Sequence, residues 1–284
     1  MQALATLPAG AWRDIAGVFT DVDDTLTEGG SVPAAVLQAL AELAAADLTV
    51  IAVTGRPAGW SEPFALSWPV RAIVAENGAV LLRRTPAARP APASVSDEIG
   101  LGPAPALPDT LSKTYQTAAA ERAAHWYRLQ AVAARVLREV PGAALARDSA
   151  GRETDIAIDH SEFTQLAPAQ IDAVLRILRS EGLTASVSSI HVNAWFGQHD
   201  KWQGACWAAR TLLGIDLAAQ VGRWVYVGDS TNDQVMFQHF THSVGVANIR
   251  RFEAALRHKP RYITEGERGA GFVEVARRLL ADRA

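Results

Sequence analysis

Short, uninterrupted apolar runs, each ending abruptly in polar residues, constrain this chain more than any other feature. They lie at residues 15–22 (IAGVFTDV), 48–53 (LTVIAV), 72–75 (AIVA) and 224–227 (WVYV). Runs of this length without polar alternation are strands buried on both faces. Between the first two, Val36, Leu37, Leu40 and Leu43 recur at helical spacing behind Ser31 and Pro33, a helix start. Strand, helix and strand in that order argue for a parallel sheet covered by helices. After the third run, Asn77-Gly78 is expected to turn a hairpin into residues 79–82.

The pattern then breaks. Six prolines between Pro86 and Pro108 exclude a helix interior or a central strand, so this stretch reads as a boundary or surface excursion. A helix is expected over 117–140, with Trp126, Leu129, Val132 and Val136 along one side, then a strand over 154–158, a helix over 168–180 and a strand over 183–192. From Lys201 the first pattern resumes. It comprises a helix to 213, the strand 224–227, a short strand 243–246, a short helix 252–258, a strand at 262–263 and a helix over 271–280. The reading is one α/β domain interrupted by an insertion.

Composition narrows the function classes. With 284 residues, 20% charged and a net charge of −3, the chain has no dense basic run and no nucleic-acid footprint. No apolar stretch reaches the roughly 18 residues of a membrane span. The first twenty residues lack a signal peptide's basic start and apolar stretch. The single cysteine, Cys206, excludes an internal disulfide and suits a reducing compartment, so the expected location is cytoplasmic. Only Lys113, Lys201 and Lys259 are lysines among 27 basic residues. Where a lysine survives such a bias towards arginine, a compact ammonium is a candidate requirement.

Polar features at strand ends carry the chemistry. Asp21-x-Asp23-x-Thr25, Thr54-Gly55 and Gly228-Asp229-x-x-Asn232-Asp233 follow core runs, and Lys201 opens a helix. Ligands of open parallel sheets bind beyond the carboxyl ends of the strands, so these features can converge. An Asp-rich turn alone is a solvated loop; its joint occurrence with the other three points to a site. Asp21 and Asp229 suit Mg²⁺, which takes few carboxylates and keeps waters and phosphate oxygens. Thr54, beside Gly55, and Lys201 suit phosphate oxygens. Offset by metal and ammonium, Asp21 becomes a competent nucleophile towards a phosphate monoester. Asp23, two residues on, can protonate the leaving alcohol and later deprotonate water.

In this order the set resembles the haloacid dehalogenase superfamily. "FTDVDDTLT" matches its DxDxT motif, Thr54 the second motif, Lys201 the third and "GDSTND" the fourth. The resemblance covers about 170 residues of the two core segments. It implies a Rossmann-like core over 1–84 and 195–284, with an inserted α+β cap over 85–194, Mg²⁺ and an aspartyl-phosphate intermediate. It also implies that Asp21, Asp229 and the Asp23 backbone carbonyl hold the metal. Thr54, Gly55, Lys201 and Asn232 are implied at the phosphate, with Asp233 supporting Lys201 and the metal shell. An Asp at 23 separates the phosphatases from the family's dehalogenases. "TGRP", "NGA" and the closing "RYITEGERGAGFVEVARRLL" resemble subgroup IIB, the Cof-type and sucrose- or trehalose-phosphate phosphatases. Trp202 departs from the Lys-Gly usual there.

Arg56, Asn77, Arg152, His191 and Asn193 are candidate substrate contacts. Alternation along "SSIHVNAW" sets Ser189, His191 and Asn193 on one face. Trp60, Trp195, Trp202 and Trp207 can stack on a sugar or pack a core. The expected activity is Mg²⁺-dependent hydrolysis of a small phosphomonoester, a sugar phosphate first. Phosphomutase or phosphotransferase activity and a phospho-accepting signalling module are the competing readings.

Overall fold

The computed structural model describes residues 1–85 and 109–283. The proline-rich stretch read as a boundary lies outside the described residues. Nine strands form one sheet. In spatial order they are Gln2–Ala3, Tyr262–Ile263, His242–Gly245, Trp224–Gly228, Gly17–Thr20, Thr49–Val53, Ala72–Ala75, Val80–Thr85 and Thr110–Tyr115. The first seven run parallel and the last two pair antiparallel.

Both faces of this sheet are buried, as the unbroken apolar runs require. Val18, Val50, Val225 and Val227 pack on one face with Leu40, Leu43 and Phe272. Phe19, Ile51, Val53 and Tyr226 pack on the other with Ala205, Ala208 and Phe237. Helices Ala34–Ala45 and Arg268–Ala281 cover the first face, and Lys201–Leu213 the second.

The chain leaves Gly17–Thr20 for Thr49–Val53 on one side and returns to Trp224–Gly228 on the other. That reversal creates a crevice at the carboxyl end of Gly17–Thr20, immediately before Asp21.

A second, antiparallel sheet has the order Ala144–Leu145, Asp155–Asp159, His191–Trp195, Thr184–Val187. Leu129, Val132, Ala133 and Val136 of helix Ala119–Glu139 pack against its Ile156, Ile158, Val192 and Ala194. Their spacing is the single apolar stripe of an amphipathic helix. Val174 and Leu178 of helix Pro168–Ser180 complete this third core.

Several expectations change. Thr110–Tyr115 falls in the segment assigned to the insertion, yet its six residues pair with Val80–Thr85 of the large sheet. Residues 183–192 form two strands with a turn at 188–190, where the Ser188 hydroxyl accepts from the Ile190 and His191 amides. Residues 252–258 do not form the expected helix; a 3-10 helix, Ala247–Phe252, comes earlier. Helix Ala58–Ser67 was masked in the sequence by Pro63. Asn77-Gly78 does turn the chain, with Glu76, Asn77 and Gly78 all at positive φ. No helix among the described residues is long and apolar enough to cross a membrane.

Candidate active site

Asp21 follows strand Gly17–Thr20, and its amide donates to Val227 O at 2.8 Å, fixing it beside the neighbouring strand. The Lys201 ammonium, 180 residues away in sequence, donates to Asp21 Oδ1 and to Asp233 Oδ1, both at 2.7 Å. Helix Lys201–Leu213 can present that ammonium because it seats backbone to backbone: a Cβ on Gly204 would lie 2.4 Å from Gly78 Cα. The residue after the lysine is free to differ from glycine, and Trp202 stacks on His239 with centroids 4.3 Å apart.

Asp233 is saturated. Its Oδ1 also accepts from the Tyr226 hydroxyl at 2.5 Å, and its Oδ2 from the amides of Asp229 and Ser230 at 2.9 and 3.1 Å. Gly228 makes room for it, since a Cβ there would lie 2.5 Å from Asp233 Oδ2. Asp229 is fully buried and only half satisfied. Its Oδ2 accepts from Asn248 at 3.0 Å and Arg251 at 3.3 Å, whereas Oδ1 has no partner.

Oxygens of Asp21, Asp229 and Asp233 lie within 4.8 Å of one another. Burial, then repulsion from Asp21 and Asp233, pushes the Asp229 carboxyl well above its usual range. Burial pushes Asp21 up to about 7 in spite of the Lys201 ammonium. Burial opposes charge on Lys201 as well, but Asp21 and Asp233 more than offset it and hold the ammonium above its ordinary pKa. A buried orphan oxygen among crowded carboxylates fits a cation. With Asp233 committed to four donors, Asp21 and Asp229 are the side chains with oxygen to offer. An all-oxygen donor set suits a hard divalent ion.

Arg56 organises the other half of the site. Its Nε donates to both Asp23 oxygens at 2.9 Å, its Nη1 to Asp148 at 3.0 Å and its Nη2 to Glu162 at 3.0 Å. The guanidinium thereby joins the Asp21–Asp23 turn to the small sheet. His191 Nε2 meets Glu162 Oε2 at 2.8 Å. That bond, against burial and aided by Arg56, draws Glu162 down to about 2.

Thr54 is buried and its hydroxyl oxygen accepts from the Arg56 amide at 3.0 Å, tightening the turn. Gly55 O accepts from Arg152 at 3.1 Å and Asn193 at 3.3 Å.

Arg152 is a correction. A candidate substrate contact in the sequence, it is buried, its Nη1 donating to both Asp155 oxygens at 2.8 and 3.0 Å and its Nη2 lying 3.3 Å from Asp148. An arginine so engaged braces the Thr54–Gly55 turn from behind. Asn77 is likewise packed against Gly55, its Nδ2 without a partner.

Asp21, Asp23, Gly55, Arg56, His191, Asn193 and Asn232 line one small chamber with residues 188–190. Its volume is about 10 Å³, room for about one water. Ser189 lies in the turn above it and not on the strand with His191 and Asn193. Of the four tryptophans, none is on its wall. Trp60 lies under Arg56, 5.2 Å from centroid to guanidinium, and Trp195 stacks on His199. Trp202 and Trp207, both on helix Lys201–Leu213, pack against the second core of the large sheet.

Sequence reasoning missed Tyr226, hidden in an apolar run, and Asp148 and Glu162, which carry no motif. It also missed Asn248 and Arg251. Their position just after a core strand, His242–Gly245, was the available signal.

Residues 18–99 match the model of a family described as haloacid dehalogenase-like hydrolase. A search of curated proteins finds no match. Among solved structures, protein 0175 of Thermoplasma acidophilum superposes with a TM-score of 0.65 at 14% identity, covering 94% of this chain and 99% of that one. The sucrose-phosphatase of Synechocystis, solved with sucrose and phosphate, gives 0.61 at 16% identity over 94% and 98%. The subclass IIB sugar phosphatase BT4131 gives 0.57 at 14% over 93% and 99%. At these identities the likeness is one of fold, and it extends over both sheets.

Proposed function

We propose that this chain, a haloacid dehalogenase-like hydrolase, is a Mg²⁺-dependent phosphatase of small phosphomonoesters, sugar phosphates foremost, with the small-sheet unit as its cap. One observation carries the reading: Lys201 is held between Asp21 and Asp233 at 2.7 Å from each, beside an Asp229 oxygen that has no partner. Carboxylates this crowded destabilise a fold unless a cation shares the space.

In this reading the Asp21 carboxylate attacks phosphorus and carries the phosphoryl group as an acyl phosphate. Asp23 gives a proton to the leaving alcohol, then takes one from the water that releases phosphate. Lys201 offsets charge on Asp21 and on the phosphoryl oxygens. Thr54, Gly55 and Asn232 orient those oxygens, and Asp233 and Tyr226 hold Lys201 in place. Asp21, Asp229 and the Asp23 carbonyl would hold Mg²⁺, which supplies the positive charge a dianionic ester needs beside a carboxylate. The sugar phosphatases of the same fold support the substrate class.

Asp21→Asn tests this. Mg²⁺-dependent phosphate release from a sugar phosphate panel should vanish while circular dichroism and Tm stay near wild type. Retained turnover in a folded variant refutes the mechanism.

A further inference from the structure

Asp229 has only one oxygen to offer a cation, and the cause lies outside the sequence motifs. Its Oδ2 is covered by Asn248 Nδ2 at 3.0 Å and Arg251 Nη2 at 3.3 Å, whereas its Oδ1 has no partner. Both donors are themselves held. Asn248 Nδ2 also donates to the Asp24 carbonyl at 3.0 Å, and Asn248 Oδ1 accepts from the Arg268 amide at 2.9 Å. Turning that side-chain amide over would set oxygen against oxygen and N–H against N–H. Arg251 Nη2 is anchored on Asp24 Oδ2 at 2.8 Å, and its guanidinium lies 4.8 Å from the Phe252 ring centroid. Arg268 Nε lies 3.0 Å from the other Asp24 oxygen.

Asp24 and Arg268 both have positive φ, 54° and 51°, a left-handed backbone that an aspartate tolerates and an arginine seldom adopts. Unusual backbone on both sides of one ion pair, beside a buried carboxyl, points to a function for the group. Asp21 is restricted as Asp229 is, because Lys201 takes its Oδ1. Asp233 has both oxygens filled by its donors. Each carboxylate with oxygen to offer can therefore give a metal one bond, and neither can chelate it.

We infer that Asp24, Asn248 and Arg251 form a clamp on Asp229 that enforces ligation through one oxygen and so makes the site prefer Mg²⁺ to Ca²⁺; the inference rests on the Mg²⁺-phosphatase reading. Mg²⁺ takes few carboxylates and completes its octahedral shell with water. Ca²⁺ takes about six to eight oxygens and gathers several of them from carboxylates that bind through both atoms. One oxygen from each of Asp21 and Asp229, beside a chamber of about 10 Å³, leaves the larger ion short of ligands. The three clamp residues are positioning residues and act through Asp229. Arg251 adds a repulsion towards any cation at Oδ1, so some affinity is lost as selectivity is gained.

The test is calorimetric titration of the metal-stripped chain with magnesium chloride and, separately, calcium chloride. Wild type should bind Mg²⁺ the more tightly. Asn248→Ala uncovers Oδ2 without changing the charge. The ratio of Mg²⁺ to Ca²⁺ affinity should then fall by roughly tenfold or more, the usual scale for losing a support behind a metal ligand. Arg251→Met removes a positive charge and one of the two covers on Oδ2. Both affinities should rise, that of Ca²⁺ further, so the ratio falls again. A merely structural role would lower Tm and leave the ratio alone. The Arg251 side chain is 41% exposed, so its variant decides the matter even where Asn248→Ala does not fold. Tighter binding of Ca²⁺ by wild type, or a ratio unchanged in the folded variants, overturns the inference and leaves the phosphatase reading standing. Release of phosphate from p-nitrophenyl phosphate that is absent in Mg²⁺, or independent of it, overturns the reading itself.

Discussion

Asp229→Asn should stabilise the metal-free protein and abolish its response to Mg²⁺. The wild-type carboxyl is fully buried, with one oxygen unpartnered and two further carboxyls within 4.8 Å. Left charged, it would cost about 3–5 kcal/mol, and holding a proton that the unfolded chain has shed lowers that cost without removing it. The hydrogen bonds from Asn248 and Arg251 return about 1.5–3 kcal/mol. Asparagine keeps the acceptor facing those two donors and turns the orphan position into a donor facing Asp21. The expected net gain is about 1–3 kcal/mol, or roughly 2–10 °C in Tm for a chain of this size.

The gain must grow with pH. A carboxyl with a folded pKa above its unfolded value holds its proton in the native state while the unfolded chain has lost it. The Asp229 contribution to wild-type stability therefore falls as pH rises above about 4, and the asparagine variant escapes that fall. Thermal melts in EDTA and in excess Mg²⁺, at pH 5.5 and 8, measure it. A variant no more stable than wild type at pH 8 in EDTA, still raised in Tm by Mg²⁺, refutes the reasoning.

Two other perturbations test the supports of the site. Gly204→Ala sets a methyl 2.4 Å from Gly78 Cα, so helix Lys201–Leu213 must shift. Melts should show a loss of about 1–3 kcal/mol, with lower turnover as Lys201 moves from Asp21. Arg152→Met leaves Asp155 with only the Asn193 amide, while Asp148 keeps Arg56, and should cost about 2–4 kcal/mol, somewhat below the usual cost of a broken buried pair. The discount arises because Asp155, pushed up to about 7 by burial against Arg152, can take up a proton. That uptake is harder at higher pH, so the Tm loss at pH 8 should exceed that at pH 6.

The sheet was legible because its strands carry their own evidence. A run such as 48–53 has no polar face, which leaves it nowhere to go but between two layers. Lys201 was legible for a different reason: an ammonium retained in an arginine-rich chain, at a helix start, marks a position where a fork-shaped guanidinium does not serve. The turn at 188–190 was not, because serines break a strand only through their own hydroxyl contacts, and no glycine or proline marks the place. Helix Ala58–Ser67 was hidden by Pro63, whose signal as a breaker outweighs the packing of Ala58, Ser61 and Ala65. Arg152 shows the deeper limit. A charged residue in a loop-like stretch reads as solvent-facing; Asp155 is three residues on, but its other partner, the Gly55 carbonyl, becomes a neighbour only when the two sheets close on each other. Tyr226 reads as core by its neighbours, and its hydroxyl acquires meaning only through Asp233.

The Arg56 contacts bear on how tightly any ligand can hold. The chamber beside Asp21 has space for about one water, so room for a phosphoryl group requires the seam between the sheets to part. The Arg56 bonds to Asp148 and Glu162 are among the contacts that hold it closed. The population of parted molecules scales every measured dissociation constant upward from its intrinsic value. A snugly matched phosphate ester can therefore show a weak apparent affinity, and loosening that seam would sharpen binding without touching a single atom that meets the ligand.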